Sequence, residues 1–236
     1  SATFAHFVEV CGMLTIHDRK KKREGLDVTE ALCKALGWYF PLLARFRIRS
    51  IEALVFRKFP LVCPYCRRLP HDEVICKTVR GTAYTVNHEQ VLRLAKSNWE
   101  KRPKGLDEWQ GMFQDIYPRR LDDNSSRSSV GLLEELGELA EAIRVYELHP
   151  KYFLGEAADT FSYIMGIANE HKLHEISQGR DFSFEAEFLT RYPGLCVQCG
   201  SRVCVCPSVP QATVGRMAKE LSIGSDENLF VDDLEK

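Results

Sequence analysis

Apolar residues recur along most of this chain at intervals of three and four. The pattern predicts helices over Asp27 to Phe46 and Ser50 to Lys58 in the first half. In the second half it predicts helices over Leu106 to Ile116, Val130 to Tyr146, Leu154 to His171 and Phe184 to Thr190. No segment sustains the period-two alternation of a half-buried strand, so the expected fold is all-α. The polar stretch from Asp122 to Ser129 reads as a loop offering several N-caps to the helix that follows it. The basic run from Arg19 to Arg23 reads as a solvated face or loop.

Composition narrows the picture. The chain has 236 residues, 44% apolar and 10% aromatic, enough for one large domain or two small ones with a packed core. Lysine and arginine number 32 against 33 acids, for a net charge of -1, which disfavours a dedicated nucleic-acid binder. The longest apolar stretch, Leu36 to Phe46, is broken by Pro41 and Arg45 and falls short of the roughly 18 residues of a membrane span. The beginning of the chain lacks the basic, apolar and small-residue order of a secretory signal, so a cytoplasmic location and no membrane partner are expected.

Nine cysteines in a reducing compartment point to metal ligands before disulfides. Cys11 and Cys33 stand alone in apolar surroundings and read as small buried side chains. The other seven form two clusters, each opening with the C-x2-C knuckle that tetrahedral zinc favours. Cys63, Cys66, His71 and Cys76 make one candidate zinc set, and Cys196, Cys199, Cys204 and Cys206 the other. Four ligands close a site, which predicts structural zinc, one ion or two. Ligands mixed between clusters and simple buried thiols remain as alternatives.

Sliding the chain on itself by 133 positions brings Ser50, Glu52 and Ala53 onto Ser183, Glu185 and Ala186, and Lys58, Phe59 and Pro60 onto Arg191, Tyr192 and Pro193. In the same register Cys63, Cys66 and His71 fall on Cys196, Cys199 and Cys204. This predicts an internal duplication in which a helix, an aromatic-Pro stop and a knuckle occur twice. The expected organisation is a degenerate helical half over 1–76, a connecting segment over 77–105, a catalytic half over 106–206, and a peripheral helix with an acidic tail over 207–236.

The acidic residues of the second half carry the chemistry. Leu132, Leu136, Leu139 and Ile143 form one apolar stripe at about 100° per residue. Glu135 sits at its edge with Glu138 one turn away, while Glu134 and Glu141 point further toward solvent. In the next helix Glu156 and Asp159 share a face, and Tyr163 follows one turn later. Four facing carboxylates repel one another unless a cation sits among them, and hard oxygen ligands suit Mg2+ or Mn2+. Such an ion keeps positions open for water and phosphate oxygens, which points to phosphate ester or anhydride chemistry.

The segments Glu134-Glu-Leu-Gly-Glu138 and Glu156-Ala-Ala-Asp159, 17 residues apart, resemble the E-E-x-x-E and E-x-x-D signature of the MazG-like all-α nucleoside triphosphate pyrophosphohydrolases, relatives of the dimeric dUTPases and dCTP pyrophosphatases. The likeness runs from about Trp109 to Pro193. It implies a MazG-like helical bundle that hydrolyses nucleoside triphosphates to the monophosphate and pyrophosphate with Mg2+ or Mn2+ held by Glu135, Glu138, Glu156 and Asp159. A water would attack in line, its proton passing to Glu134 or Glu138. Tyr163 and Asn169 are candidates for sugar or phosphate contacts, Lys172 and Arg191 for charge on the leaving pyrophosphate, and Trp109 and Phe113 for base stacking or ordinary core packing. Family members commonly build the site between subunits. The first half, which reads Thr29-Glu-Ala-Leu-Cys33 where the second has its acids, would then serve in an internal pseudo-dimer, a true homodimer being the other arrangement. A phosphoribosyl or alarmone substrate, or a catalytically inactive zinc-knuckle interaction protein, are the competing readings.

Overall fold

Side chains set several of the helix starts. Asp27 accepts the Glu30 N–H at 3.0 Å, Ser50 Oγ accepts that of Ala53 at 3.0 Å, and Ser183 Oγ that of Ala186 at 3.0 Å. The two serines are equivalent in the 133-residue register, and each caps a short helix lying just before an aromatic-Pro pair. In the computed structural model, which describes residues 2–20, 27–81, 88–121 and 127–194, the described residues form nine α-helices and no strand.

The helices are α1 (Ala2–Lys20), α2 (Val28–Arg45), α3 (Ile51–Phe56), α4 (Glu73–Gly81), α5 (His88–Ser97), α6 (Leu106–Ile116), α7 (Arg127–Arg144), α8 (Pro150–Ser177) and α9 (Phe184–Arg191), with a 3-10 turn at Trp99–Lys101. All lie in one body that ends at Arg191. The four long helices close a ring in which α1 packs on α2, α2 on α8, α8 on α7 and α7 on α1. Shorter α3 and α6 pack against α8, and α9 against α2 and α6. At 28 residues, α8 runs about 42 Å and packs against α7, α6, α2 and α3.

Burial follows from these contacts. Phe153, Ala157, Ala158, Phe161, Ile164 and Ala168 of α8 are fully buried, and the alanines among them leave room for neighbours. Phe7 and Leu14 of α1 and Leu32, Leu36 and Tyr39 of α2 fill the same core. The Tyr39 hydroxyl donates to the Ala157 carbonyl at 2.7 Å, satisfying a buried donor across the α2–α8 contact. Cys11 and Cys33 are fully buried fillers of this core. Burial holds the Cys11 thiol far above its ordinary pKa and pushes that of Cys33 up to about 11, with Arg191 opposing.

Helix α8 extends beyond its predicted stretch at both ends, α7 starts and ends earlier than predicted, at Arg127 and Arg144, and the segment expected to be a mere connection over 77–105 contains the end of α4, all of α5 and the 3-10 turn. Helix α1 was absent from the predicted set, because its apolar residues surround most of its circumference, Val8 and Met13 being exposed, so no single stripe marks it. The helices on either side of the connection share one core. The tail over 207–236 lies outside the described residues, as does part of the basic run and of the loop before α7.

Candidate functional site

The site is built where α7 crosses α8. Two glycines permit the approach: a Cβ on Gly131 would lie 2.1 Å from Tyr163 Cε1, and one on Gly166 would lie 2.8 Å from Ser128 Oγ. This crossing sets Glu135 and Glu138 of α7 opposite Glu156 of α8, with a carboxylate oxygen from each within 4.8 Å of the others. Glu156 is 9% exposed, Glu135 half-buried and Glu138 exposed.

Two oxygens stand out. Glu135 Oε2 and Glu156 Oε2 are inaccessible to solvent and have no hydrogen-bond partner. Buried carboxylate oxygens without a donor are costly unless a proton or cation reaches them. Burial first, then the charges of Asp159, Glu138 and Glu156, pushes the Glu135 carboxyl up to about 8. Burial, then the Glu138 side chain and the Asp159 charge, pushes Glu156 up to about 7. The donor set and its orphaned oxygens fit a hard divalent ion such as Mg2+ or Mn2+.

Asp159 stands one turn further along α8 and is engaged differently. Lys58, just past the end of α3, forms an ion pair with Asp159 and donates to the Gly155 carbonyl at 3.3 Å. Both side chains are largely buried, and the Asp159 charge keeps the Lys58 ammonium protonated against the opposing effect of burial. Lys58 is the residue that the repeat register pairs with Arg191. That register was the one available signal for it, and the sequence reading assigned the positive charge to Arg191 instead.

A cleft of about 780 Å³ opens beside these acids. Glu134, Glu135, Asp159 and Tyr163 line one side; His71, Cys76 and Lys77 line another, and Tyr117 and Arg119, following α6, complete it. Arg119 reaches the Glu170 carboxylate at 3.6 Å, while Ser128 Oγ donates to the same carboxylate at 2.6 Å. Of the residues expected to contact substrate, Tyr163 and Phe113 border the cleft. Phe113 is 1% exposed and meets Phe59 edge-on at 5.1 Å, which makes it a core aromatic. Trp109 corrects the stacking expectation: at 2% exposure it packs edge-on against Phe161 at 6.0 Å and does not line the cleft. Asn169 is buried and donates to the Gln110 carbonyl at 3.0 Å, a structural role. Arg191 pairs with Glu187 at 2.5 Å and lies 3.9 Å from Asp27, and neither it nor Lys172 lines the cleft.

The first cysteine cluster forms a compact set. Cys63 and Cys76 sulfurs lie 3.6 Å apart, and His71 Nδ1 lies 3.4, 3.9 and 3.3 Å from the sulfurs of Cys63, Cys66 and Cys76. A tetrahedral ion with zinc–sulfur bonds of about 2.3 Å and a zinc–nitrogen bond of about 2.0–2.1 Å spaces its ligands roughly 3.5–3.8 Å apart. The four atoms can therefore hold zinc as they stand. The knuckle turn is closed by Arg67 N–H to the Cys63 carbonyl at 2.8 Å, with Arg67 in the left-handed region at φ 56°. The Asp72 N–H points at Cys66 Sγ at 3.4 Å and the Tyr117 hydroxyl at Cys63 Sγ at 3.6 Å, the outer donors a thiolate site uses. Cys196, Cys199, Cys204 and Cys206 lie outside the described residues.

No family model matches the chain, and no curated protein or solved structure is detectably similar to it.

Proposed function

We propose that this protein hydrolyses nucleoside triphosphates, ribo or deoxyribo, to the monophosphate and pyrophosphate, with Mg2+ or Mn2+ held by Glu135, Glu138 and Glu156 and joined by Asp159. The observation that carries the reading is the pair of buried, donorless oxygens on Glu135 and Glu156, gathered with Glu138, where Glu135 borders a cleft that also presents Arg119 and Lys77. The likeness of Glu134–Glu138 and Glu156–Asp159 to the MazG-like signature supports it from the sequence side. When bound, the ion would neutralise phosphate oxygens and make the phosphorus more electrophilic.

The chain's own residues divide the remaining work. Glu134 is exposed on the cleft and outside the three-glutamate set, which favours it over Glu138 as acceptor of the attacking water's proton. Arg119 and Lys77 offer charge-assisted hydrogen bonds to a departing pyrophosphate, and Tyr163 borders the same space. Lys58, from the first half of the chain, reaches Asp159 in the second, which supports the first half acting as an internal partner. Zinc at Cys63, Cys66, His71 and Cys76 is a structural ion in this reading.

The test is product analysis with Mg2+ and a panel of nucleoside triphosphates, resolving monophosphate plus pyrophosphate from diphosphate plus phosphate. Glu138→Gln should lower pyrophosphate release by about 100-fold or more, as loss of a catalytic-ion ligand does. Unchanged turnover in that variant, or no turnover across the panel, would sink the proposal.

A further inference from the structure

The Cys63–Cys76 knuckle does more than close on itself. Cys76 is a residue of α4, and Lys77, the next residue, lines the acidic cleft together with Glu73, His71 and Cys76. Of the described side chains of α4, Val74 is 76% exposed, Lys77 and Glu73 pair with each other at 2.9 Å in solvent, and Ile75 and Cys76 turn toward the core. Among the described residues α4 shares no substantial packing face with another helix. Its start is capped by Asp72, whose carboxylate accepts the Ile75 N–H at 3.0 Å, one residue after the ligand His71.

The other end of the knuckle is anchored firmly. His71 N–H donates to the Ile116 carbonyl at 2.8 Å, its ring lies 5.2 Å from that of Tyr117, and Cys63 is fully buried as a member of the core cluster. Cys63 and Cys66 thus belong to the body, while Cys76 belongs to a helix with little hold on it. An ion shared by the four residues would join the two.

We propose that zinc bound by Cys63, Cys66, His71 and Cys76 is the tether that holds α4 as one wall of the acidic cleft, so that an ion some distance from the carboxylates fixes the shape of the space beside them. Without zinc, the three thiols and the imidazole keep only weak sulfur hydrogen bonds with one another, and the described apolar link of α4 to the core besides Cys76 is Ile75. This goes beyond phosphate hydrolysis and holds whatever compound fills the cleft.

Hydrogen exchange on the full-length protein tests it, comparing zinc-loaded wild type with Cys76→Ser and using Cys199→Ser as the control for the second cluster. Amides of Glu73–Gly81 should exchange about tenfold faster or more in Cys76→Ser, with those of α7 and α8 unchanged, and Cys199→Ser should leave α4 as it is. Cobalt loading should show the thiolate-to-metal absorption of a tetrahedral site, reduced by one equivalent in Cys76→Ser. If Cys76→Ser does not fold, wild type stripped of zinc by a mercurial and chelator supplies the same comparison. Unchanged exchange in α4, or equal acceleration in α4, α7 and α8, overturns the proposal, as does an undiminished cobalt band. None of these readouts requires turnover, so loss of the hydrolase reading would leave the tether standing and the reverse is equally visible.

Discussion

Lys58 and the two raised glutamates decide how the carboxylate site behaves without its ion. Replacing Lys58 with methionine leaves Asp159 largely buried without its ammonium, and should cost about 1–3 kcal/mol, read as a lower melting temperature. Added Mg2+ should recover more of that loss than it adds to wild type. Glu135 and Glu156 carry carboxyl pKa values raised to about 8 and about 7, so the folded protein binds more protons than the unfolded chain from the ordinary carboxylate range up to those values. Stability of the metal-free protein should therefore fall as pH rises from about 5 to 8 and level off above. Glu135→Gln should flatten that slope and melt higher than wild type at pH 8, and a slope identical in both would remove Glu135 as its source. Divalent affinity should rise over the same interval, because protons leave the glutamates as the ion enters. Sequence spacing expected Glu135, Glu138, Glu156 and Asp159 to face one another, and the structure gathers the first three, since an i, i+3 pair on each of two neighbouring helices can be read from a linear string. It could not identify Lys58, which meets Asp159 only through the packing of α3 on α8.

At the scale of elements, the α7–α8 crossing depends on an absent side chain. Gly131→Ala would drive a methyl group into the Tyr163 ring and should destabilise by about 1–3 kcal/mol while displacing a residue of the cleft. Helix α6 and the cores of α2, α7 and α9 were legible because each buries one face and leaves the other in water, whereas α8 was marked by the length of its apolar run. Helix α1 was not, because a helix held between α2 and α7 shows no clean polar side. Helix α4 was hidden because it is short, at nine residues, and its Val74 faces solvent. The trimming of Tyr39 to phenylalanine measures the α2–α8 link, with an expected loss of about 1 kcal/mol for a buried hydroxyl donor.

At the scale of the molecule, the ring of α1, α2, α8 and α7 draws both halves of the chain into one core. Deletion of residues 1–76 would strip α1 from α7, Tyr39 from Phe161 of α8 and Phe56 from Trp109 of α6, and should yield a fragment without a cooperative melting transition. A stable, cooperatively unfolding fragment would show instead that the second half is self-sufficient. The seclusion of Cys11 and Cys33 in that shared core has a practical corollary. Their sulfurs are out of reach and poor thiolates near neutral pH, so an alkylating reagent meets them only when the bundle opens as a whole. A mass-resolved labelling time course would thus contain its own clock: modification of Cys11 times the opening of the bundle, and labelling of Cys63 or Cys76 ahead of it reports a local release.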